Sequence, residues 1–260
     1  MTDLETLLVG RAGGVVTVTL NRPEKKNAIN GQMWDELLAV LAQIAHNPSD
    51  RAVVVTGAGG DFCSGADLST VLARTDRTGL DLMRQVGDVA AALHGLPKPT
   101  LAKVRGVAVG AGWNLALACD LVIAAPTARF SQIFSRRGLA VDGGGSWLLP
   151  RLIGLQKAKE LVFLAEMLSA AEVAELRLVN RVVPDDELDG FVDDWAARLA
   201  GGPTVALSLS KSLLNGSFES SFGQAVEGEA RSQQITFATH DVRVAMEAFA
   251  TRSTPDFTGR

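Results

Sequence analysis

Three glycine-rich segments hold the residues best placed to do chemistry. The first runs Gly57-Ala58-Gly59-Gly60-Asp61-Phe62-Cys63-Ser64-Gly65-Ala66-Asp67-Leu68, and the second Arg105-Gly106-Val107-Ala108-Val109-Gly110-Ala111-Gly112-Trp113-Asn114. Each follows a strand-like apolar run and enters a helix start. Glycines there let backbone N–H groups turn toward a bound anion or a polarised oxygen. Neither segment carries the lysine of a GxxxxGK[ST] phosphate loop. Two such loops in one α/β chain can place two N–H donors on opposite sides of a single oxygen, as an oxyanion hole requires. Two unrelated tight connections are the structural alternative.

The third segment, Gly138-Leu139-Ala140-Val141-Asp142-Gly143-Gly144-Gly145-Ser146, sets an aspartate before three glycines and the apolar run Trp147 to Leu149. Asp142 is a candidate acid–base group, or else a residue that caps a turn or the next helix. The other reactive side chains fit structural roles. His46 and His94 each stand near the end of a predicted helix, where terminal carbonyls are the usual partners. Ser64 lies in Cys63-Ser64-Gly65, which is not a GxSxG elbow, and no histidine is an evident partner, so a serine hydrolase is not expected. Cys63 is a nucleophile candidate by position, but a small buried thiol fits it better.

The elements that must position these loops alternate strand with helix over the first two thirds of the chain. Thr6 to Val9 and Val15 to Leu20, separated by Gly13-Gly14, predict an opening hairpin. From Gly31 the apolar residues Met33, Trp34, Leu37, Leu38, Leu41 and Ile44 recur at helical spacing behind Asn30 as N-cap. Ala52 to Thr56 predicts a buried parallel strand, Leu80 to Leu96 a helix, and Thr100 to Val104 a strand. A short helix over Gly112 to Cys119 and a strand over Asp120 to Ala124 continue the alternation. After about Asp185 strand signals vanish, and Glu187 to Leu199, Pro203 to Leu214, Phe222 to Phe237 and Asp241 to Thr251 predict helices. Helices with broad apolar faces and no sheet must pack on the core or on another subunit.

With 260 residues and 47% hydrophobic content the chain can bury a large core. A net charge of -4 and a pI near 5.5 give no basic excess for nucleic acid or an anionic membrane. The two cysteines, Cys63 and Cys119, form no CxxC and do not cluster with His46, His94 or His240, so neither a disulfide framework nor a zinc site is expected. Met1 to Gly10 lacks the pattern of a secretory signal. No segment reaches the roughly 18 uninterrupted apolar residues of a membrane span. A cytoplasmic location is the expectation.

Taken in order, Leu20-Asn21-Arg22-Pro23-Glu24-Lys25-Lys26-Asn27-Ala28, then Phe62 to Leu68, then Gly106 to Asp120 resemble the signature segments of the crotonase (enoyl-CoA hydratase/isomerase) superfamily. Phe130 to Arg151, Leu178 to Val183 and Pro255 to Gly259 extend the resemblance over essentially the whole chain. It implies an α/β spiral of strand-strand-helix units, with residues 1–195 forming the acyl-CoA site and residues 196–260 a helical region that assembles homotrimers or hexamers. It also implies an acyl-CoA thioester substrate and no cofactor beyond the coenzyme A of that substrate. Carried over by position, the oxyanion donors are the N–H groups of Ala66 and Ala111. The coenzyme A moiety is expected along Lys25 to Ala28 and Ser64 to Leu68, including Gly65 and Asp67, with Lys25 or Lys26 as phosphate partners. Gly110, Asn114 and Phe134 complete the implied substrate contacts.

Hydratases that this chain resembles handle water with two glutamates, at the positions matching Asn114 and Phe134. Phenylalanine cannot accept a proton, and asparagine can orient water but cannot act as its base. Asp142 instead matches the working carboxylate of isomerase-type branches, and its surroundings most resemble the ring-epoxide isomerases of phenylacetate breakdown. A related branch uses an aspartate of this loop as a dehalogenase nucleophile. The expected activity is therefore a double-bond shift in an enoyl-CoA. The rivals are hydration with Asn114 and Asp142 in a rearranged site, and a non-catalytic acyl-CoA binder.

Overall fold

A computed structural model describes residues 4–71 and 78–260. Met1 to Asp3, part of the stretch read for a targeting signal, lie outside them. In chain order the first elements are β1 (Leu7–Ala12), β2 (Val15–Leu20), α1 (Gly31–His46), β3 (Ala52–Gly57), α2 (Leu68–Val71), α3 (Gly79–His94) and β4 (Thr100–Val104). The middle of the chain contributes β5 (Val107–Val109), α4 (Ala111–Leu117), β6 (Leu121–Ala124), β7 (Arg129–Ser131), α5 (Gly145–Ile153), α6 (Leu155–Leu164), β8 (Leu168–Ser169), α7 (Ala170–Glu175) and β9 (Arg181–Val182). Four helices finish it: α8 (Leu188–Ala200), α9 (Thr204–Asn215), α10 (Phe222–Phe237) and α11 (His240–Thr251).

Six strands form one sheet in the order β1-β2-β3-β4-β6-β9, antiparallel only at the β1-β2 hairpin. Its central strands are buried on both faces, and the two-residue period sorts their side chains. Val53, Val55, Ala102, Val104, Val122 and Ala124 join the main core with α1, α3 and α4. Val54, Leu101 and Ile123 point the other way, onto Val192 and Ala196 of α8. The expected α/β spiral with C-terminal helices is the fold observed. α8 runs unbroken through position 195.

A smaller sheet, β5-β7-β8, was not expected. Val107 to Val109, read as part of a glycine-rich loop, is one of its strands, too short for a periodic signal. The helices α5, α6 and α7 were also missed, because Gly138 to Ser146 and Pro150 masked the helical period around them. α1 forms as read: the Asn30 side chain accepts the Met33 N–H at 2.9 Å, and Met33, Trp34, Leu37, Val40, Leu41 and Ile44 are buried. Among the described residues no helix is long and apolar enough to cross a membrane.

Candidate active site

The first two glycine-rich loops lie side by side because β5 pairs with the first loop. Cys63 and Ala108 form a parallel bridge, in which the Cys63 N–H donates to the Val107 carbonyl at 2.8 Å and the Val109 N–H to the Cys63 carbonyl at 2.9 Å. Three residues onward from each bridge partner stand Ala66 and Ala111. The approach is close enough to require glycine at position 65. A Cβ there would lie 2.9 Å from the Val109 carbonyl oxygen and 3.9 Å from the Ala111 nitrogen, and its φ is +101°. Among the described residues no backbone hydrogen bond uses the N–H of Ala66 or of Ala111, the first residue of α4.

The other side of the first loop is stitched to the segment after β2. Ile29 N–H donates to the Gly65 carbonyl and Asp67 N–H to the Ile29 carbonyl, both at 2.8 Å, so Ala66 sits inside a bridge. The Arg22 guanidinium clamps both strands of that bridge, donating to the Ala28 carbonyl at 2.6 Å and to the Asp67 carboxylate at 3.0 Å. The Ser69 hydroxyl, and then Arg22, hold the Asp67 carboxyl below its ordinary value against the effect of burial. The Ser64 hydroxyl donates to the Lys25 carbonyl at 3.2 Å and the Ser64 N–H to the Lys26 carbonyl at 3.0 Å. Lys25 and Lys26 are exposed, and the Lys26 ammonium stands 4.0 Å from Asp61.

Beside these loops is a cavity of about 590 Å³. Trp34, Leu82, Met83 and Val86 line it from α1 and α3, Ala66 and Leu68 from the first loop, and Arg137, Leu139, Val141 and Asp142 from the third. Asp142 is the only carboxylate among its described lining residues. Burial pushes its carboxyl from 3.8 up to about 6. Its Oδ1 atom is buried and has no hydrogen-bond partner among the described residues. The carboxylate caps no helix: the N-cap of α5 is Gly144, without a side-chain bond, and the Gly145 N–H goes to the Asp142 carbonyl at 2.9 Å.

Asn114 and Phe134, expected to meet substrate or water, are buried and are not among the described residues that line this cavity. Asn114 is fully buried, its Nδ2 donates to the Asp142 carbonyl at 2.8 Å, and its Oδ1 accepts from Gln132 Nε2 at 2.9 Å. Phe134 is buried in the turn Ile133–Arg137, against Gly110. Gly110 itself is the N-cap of α4 and donates its N–H to Ser131 at 2.8 Å. Arg22 and Gln132 escaped the sequence reading. Arg22 lies in a segment noted for other residues, and nothing in the spacing marks Gln132. Trp34 is legible in the sequence only as part of a helical period, since a cavity wall has the same period as a core face.

The roles read for Cys63 and His46 fit what is observed, whereas His94 packs on a ring in place of the helix-terminal carbonyls expected of it. The Cys63 thiol is fully buried and pushed up to about 12, so it is not a nucleophile near neutral pH. His46 Nδ1 contacts the Ala42 carbonyl at 2.8 Å, and His94 meets Trp147 edge-on at 5.2 Å.

Residues 10–260 match the family model described as enoyl-CoA hydratase/isomerase. The chain is 36% identical to 1,2-epoxyphenylacetyl-CoA isomerase of Escherichia coli, over 99% of this chain and 100% of that protein. It is 34% identical to the short-chain-enoyl-CoA hydratase of Clostridium acetobutylicum, over 95% of each. The crystal structure of an enoyl-CoA hydratase/isomerase from Cupriavidus metallidurans superposes with a TM-score of 0.92 at 33% identity, covering 100% of this chain and 98% of that one. An enoyl-CoA hydratase from Bacillus anthracis gives 0.94 at 30% identity, covering 98% and 100%.

Proposed function

The chain belongs to the enoyl-CoA hydratase/isomerase family, and from that premise we propose that it shifts a double bond within an enoyl-CoA thioester. The observation that carries this reading is Asp142: a half-buried carboxylate, raised to about 6, whose buried Oδ1 has no partner among the described residues, on the wall of a largely apolar cavity. As a carboxylate it takes a proton from the carbon between the thioester carbonyl and the double bond, which both make acidic. The electron pair moves onto the thioester oxygen, whose charge is shared by the N–H groups of Ala66 and Ala111. The Asp142 carboxylic acid then returns the proton at the other end of the allylic system. Burial suits the group to both steps, because a pKa near the working pH lets one residue accept and give back a proton. The chain is read as acting in a trimer or hexamer.

Hydration is the second reading, favoured by the name of the Clostridium relative. It needs a group to activate water. The Asn114 amide is held at both ends and Phe134 has no titratable group, which weighs toward isomerisation.

Asp142→Asn tests the proposal. Isomerisation of a 3-enoyl-CoA is expected to fall by ~10²-fold or more, with folding and acyl-CoA affinity retained. In the parent, kcat/KM should rise with pH through about 6, as the base ionises. The same residue opposes folding. A carboxyl whose pKa is raised on folding leaves the native state binding more protons than the unfolded chain between about 4 and 6, so its contribution to stability falls as pH rises through that window. Asp142→Asn should therefore stabilise the protein at pH 7 by ~1–3 kcal/mol, the scale of such a pKa gap. Parental isomerisation by the variant, or hydration of crotonyl-CoA by the parent far faster than any isomerisation, overturns the proposal.

A further inference from the structure

Asp142 stands on a glycine-rich turn, and a turn built of Gly143, Gly144 and Gly145 has little intrinsic reason to hold one shape. What holds it is the interior face of α4. The Asp142 carbonyl receives two donors, the Gly145 N–H at 2.9 Å and Asn114 Nδ2 at 2.8 Å. Gly145 lies flat on the same amide: a Cβ there would fall 2.6 Å from Asn114 Nδ2 and 2.8 Å from Oδ1. Behind Asn114, Gln132 Nε2 donates to Oδ1 at 2.9 Å, and Gln132 is 1% exposed. The neighbouring Ser131 carbonyl takes the Gly110 N–H, one residue before Ala111. A chain of buried polar contacts thus runs from the second oxyanion loop, through Gln132 and Asn114, to the backbone of Asp142.

We infer that Asn114 is a positioning residue, an amide latch that sets the Asp142 carboxylate relative to the Ala66 and Ala111 donors, and that it takes no part in handling water. The inference rests on the reading of Asp142 as the proton carrier. The latch needs a donor facing the Asp142 carbonyl and an acceptor facing Gln132, in a site buried from solvent. An amide supplies one of each, whereas an ionised carboxylate supplies acceptors only and would turn an oxygen toward the carbonyl. A glutamate or aspartate at position 114 therefore releases the turn and adds a negative charge beside Asp142. It does not convert the site to a hydratase.

Asn114→Asp is the informative substitution, since it keeps shape and exchanges the donor for an acceptor. Isomerase kcat at pH 7 is expected to fall by about 10-fold or more, while KM for the acyl-CoA changes little. The acidic limb of the kcat profile should move upward from its parental position, because a like charge disfavours ionisation of Asp142. Loss of packing alone would not move that limb. Gln132→Met, which removes the outer donor and introduces no charge, should lower kcat in the same direction by a smaller factor without moving the limb, and it decides the matter if Asn114→Asp does not fold. Crotonyl-CoA hydration should not rise in either variant. A parental rate and pH profile in Asn114→Asp, with Asp142→Asn inactive, overturns the latch and leaves the proton carrier in place. A gain of hydration in Asn114→Asp overturns the latch as well. A parental rate in Asp142→Asn removes the proton carrier, and the latch with it.

Discussion

α1 and α10 each span sixteen residues and carry amphipathic patterns, yet they end in opposite circumstances. α1 buries Met33, Trp34, Leu37, Val40, Leu41 and Ile44, and even its buried Glu36 is satisfied by Thr6 and Gln32. α10 buries none of its residues, and Phe222 at its start is 86% exposed. Phe218 and Phe249 nearby are 69% and 84% exposed. A spiral that closes its own core can hold three loops in register around one cavity. A helical tail that leaves large aromatic side chains in water is built to meet another surface, and a second copy of the chain is the reading favoured here. The candidate site thus sits where the chain is self-sufficient, and the proposed assembly surface where it is not.

The largest effect belongs to the self-sufficient half. Ala111 is the first residue of α4, a position where proline suits the helix and its missing N–H breaks no helical bond. Ala111→Pro therefore removes the proposed oxyanion donor with little reason to disturb α4. Turnover is expected to fall by ~10²–10³-fold, the usual result of losing one such donor. The mass in solution should not change. Retained turnover in the folded variant would show that charge is stabilised elsewhere.

The opposite break is Phe222→Asp combined with Phe249→Asp. Both residues are exposed in the single chain, so its fold has nothing to lose. Light scattering should report a drop from a trimer or hexamer to one chain, with an unchanged far-ultraviolet spectrum. If the parent is itself monomeric and fully active at micromolar concentration, the contrast between the two halves fails.

The same contrast explains what the sequence discloses. Long amphipathic helices and β-branched strands announce themselves, and α10 was bounded to the residue from its period alone. Two glycine loops flanking one point are legible in the sequence, and Ala66 and Ala111 as donors only through the resemblance, but the bridge between Cys63 and Ala108 that brings the loops together spans forty-five residues and has no local signal. Asp142 was legible as a lone acid among glycines, although burial, which gives it its chemistry, is a tertiary property. The partners of Asn114 are hidden from the sequence for the same reason. An asparagine at a helix start looks free to meet water until the turn around Asp142 folds over it.

The smallest effect lies at the seam between the halves. α9 buries only Thr204 completely, and its main polar tie to the spiral is Lys211, whose ammonium donates to Asp120 at 2.9 Å and to the Lys98 carbonyl at 3.2 Å. Asp120 also accepts the Thr100 N–H at 2.8 Å and the Thr100 hydroxyl at 2.9 Å, so removing the lysine does not orphan it. That distinction sets the magnitude. Breaking a fully buried pair is expensive because it strands a charge, whereas Asp120 keeps two donors and is 25% exposed. Lys211→Met keeps the apolar stem of the side chain and loses only the ammonium. Stability should fall by ~1–2 kcal/mol, and Tm by a few degrees for a chain of this size. Turnover measured well below that Tm should be unaltered. An unchanged Tm would mean that the ion pair contributes nothing and that α9 is held by its apolar contacts and by the hydrogen bonds of Thr204 with Arg51 and of Asn215 with the His94 carbonyl; a parallel loss of turnover would mean that the seam is felt at the cavity through Trp147 and Arg151, which stack 3.9 Å apart and line the same cleft as Lys211.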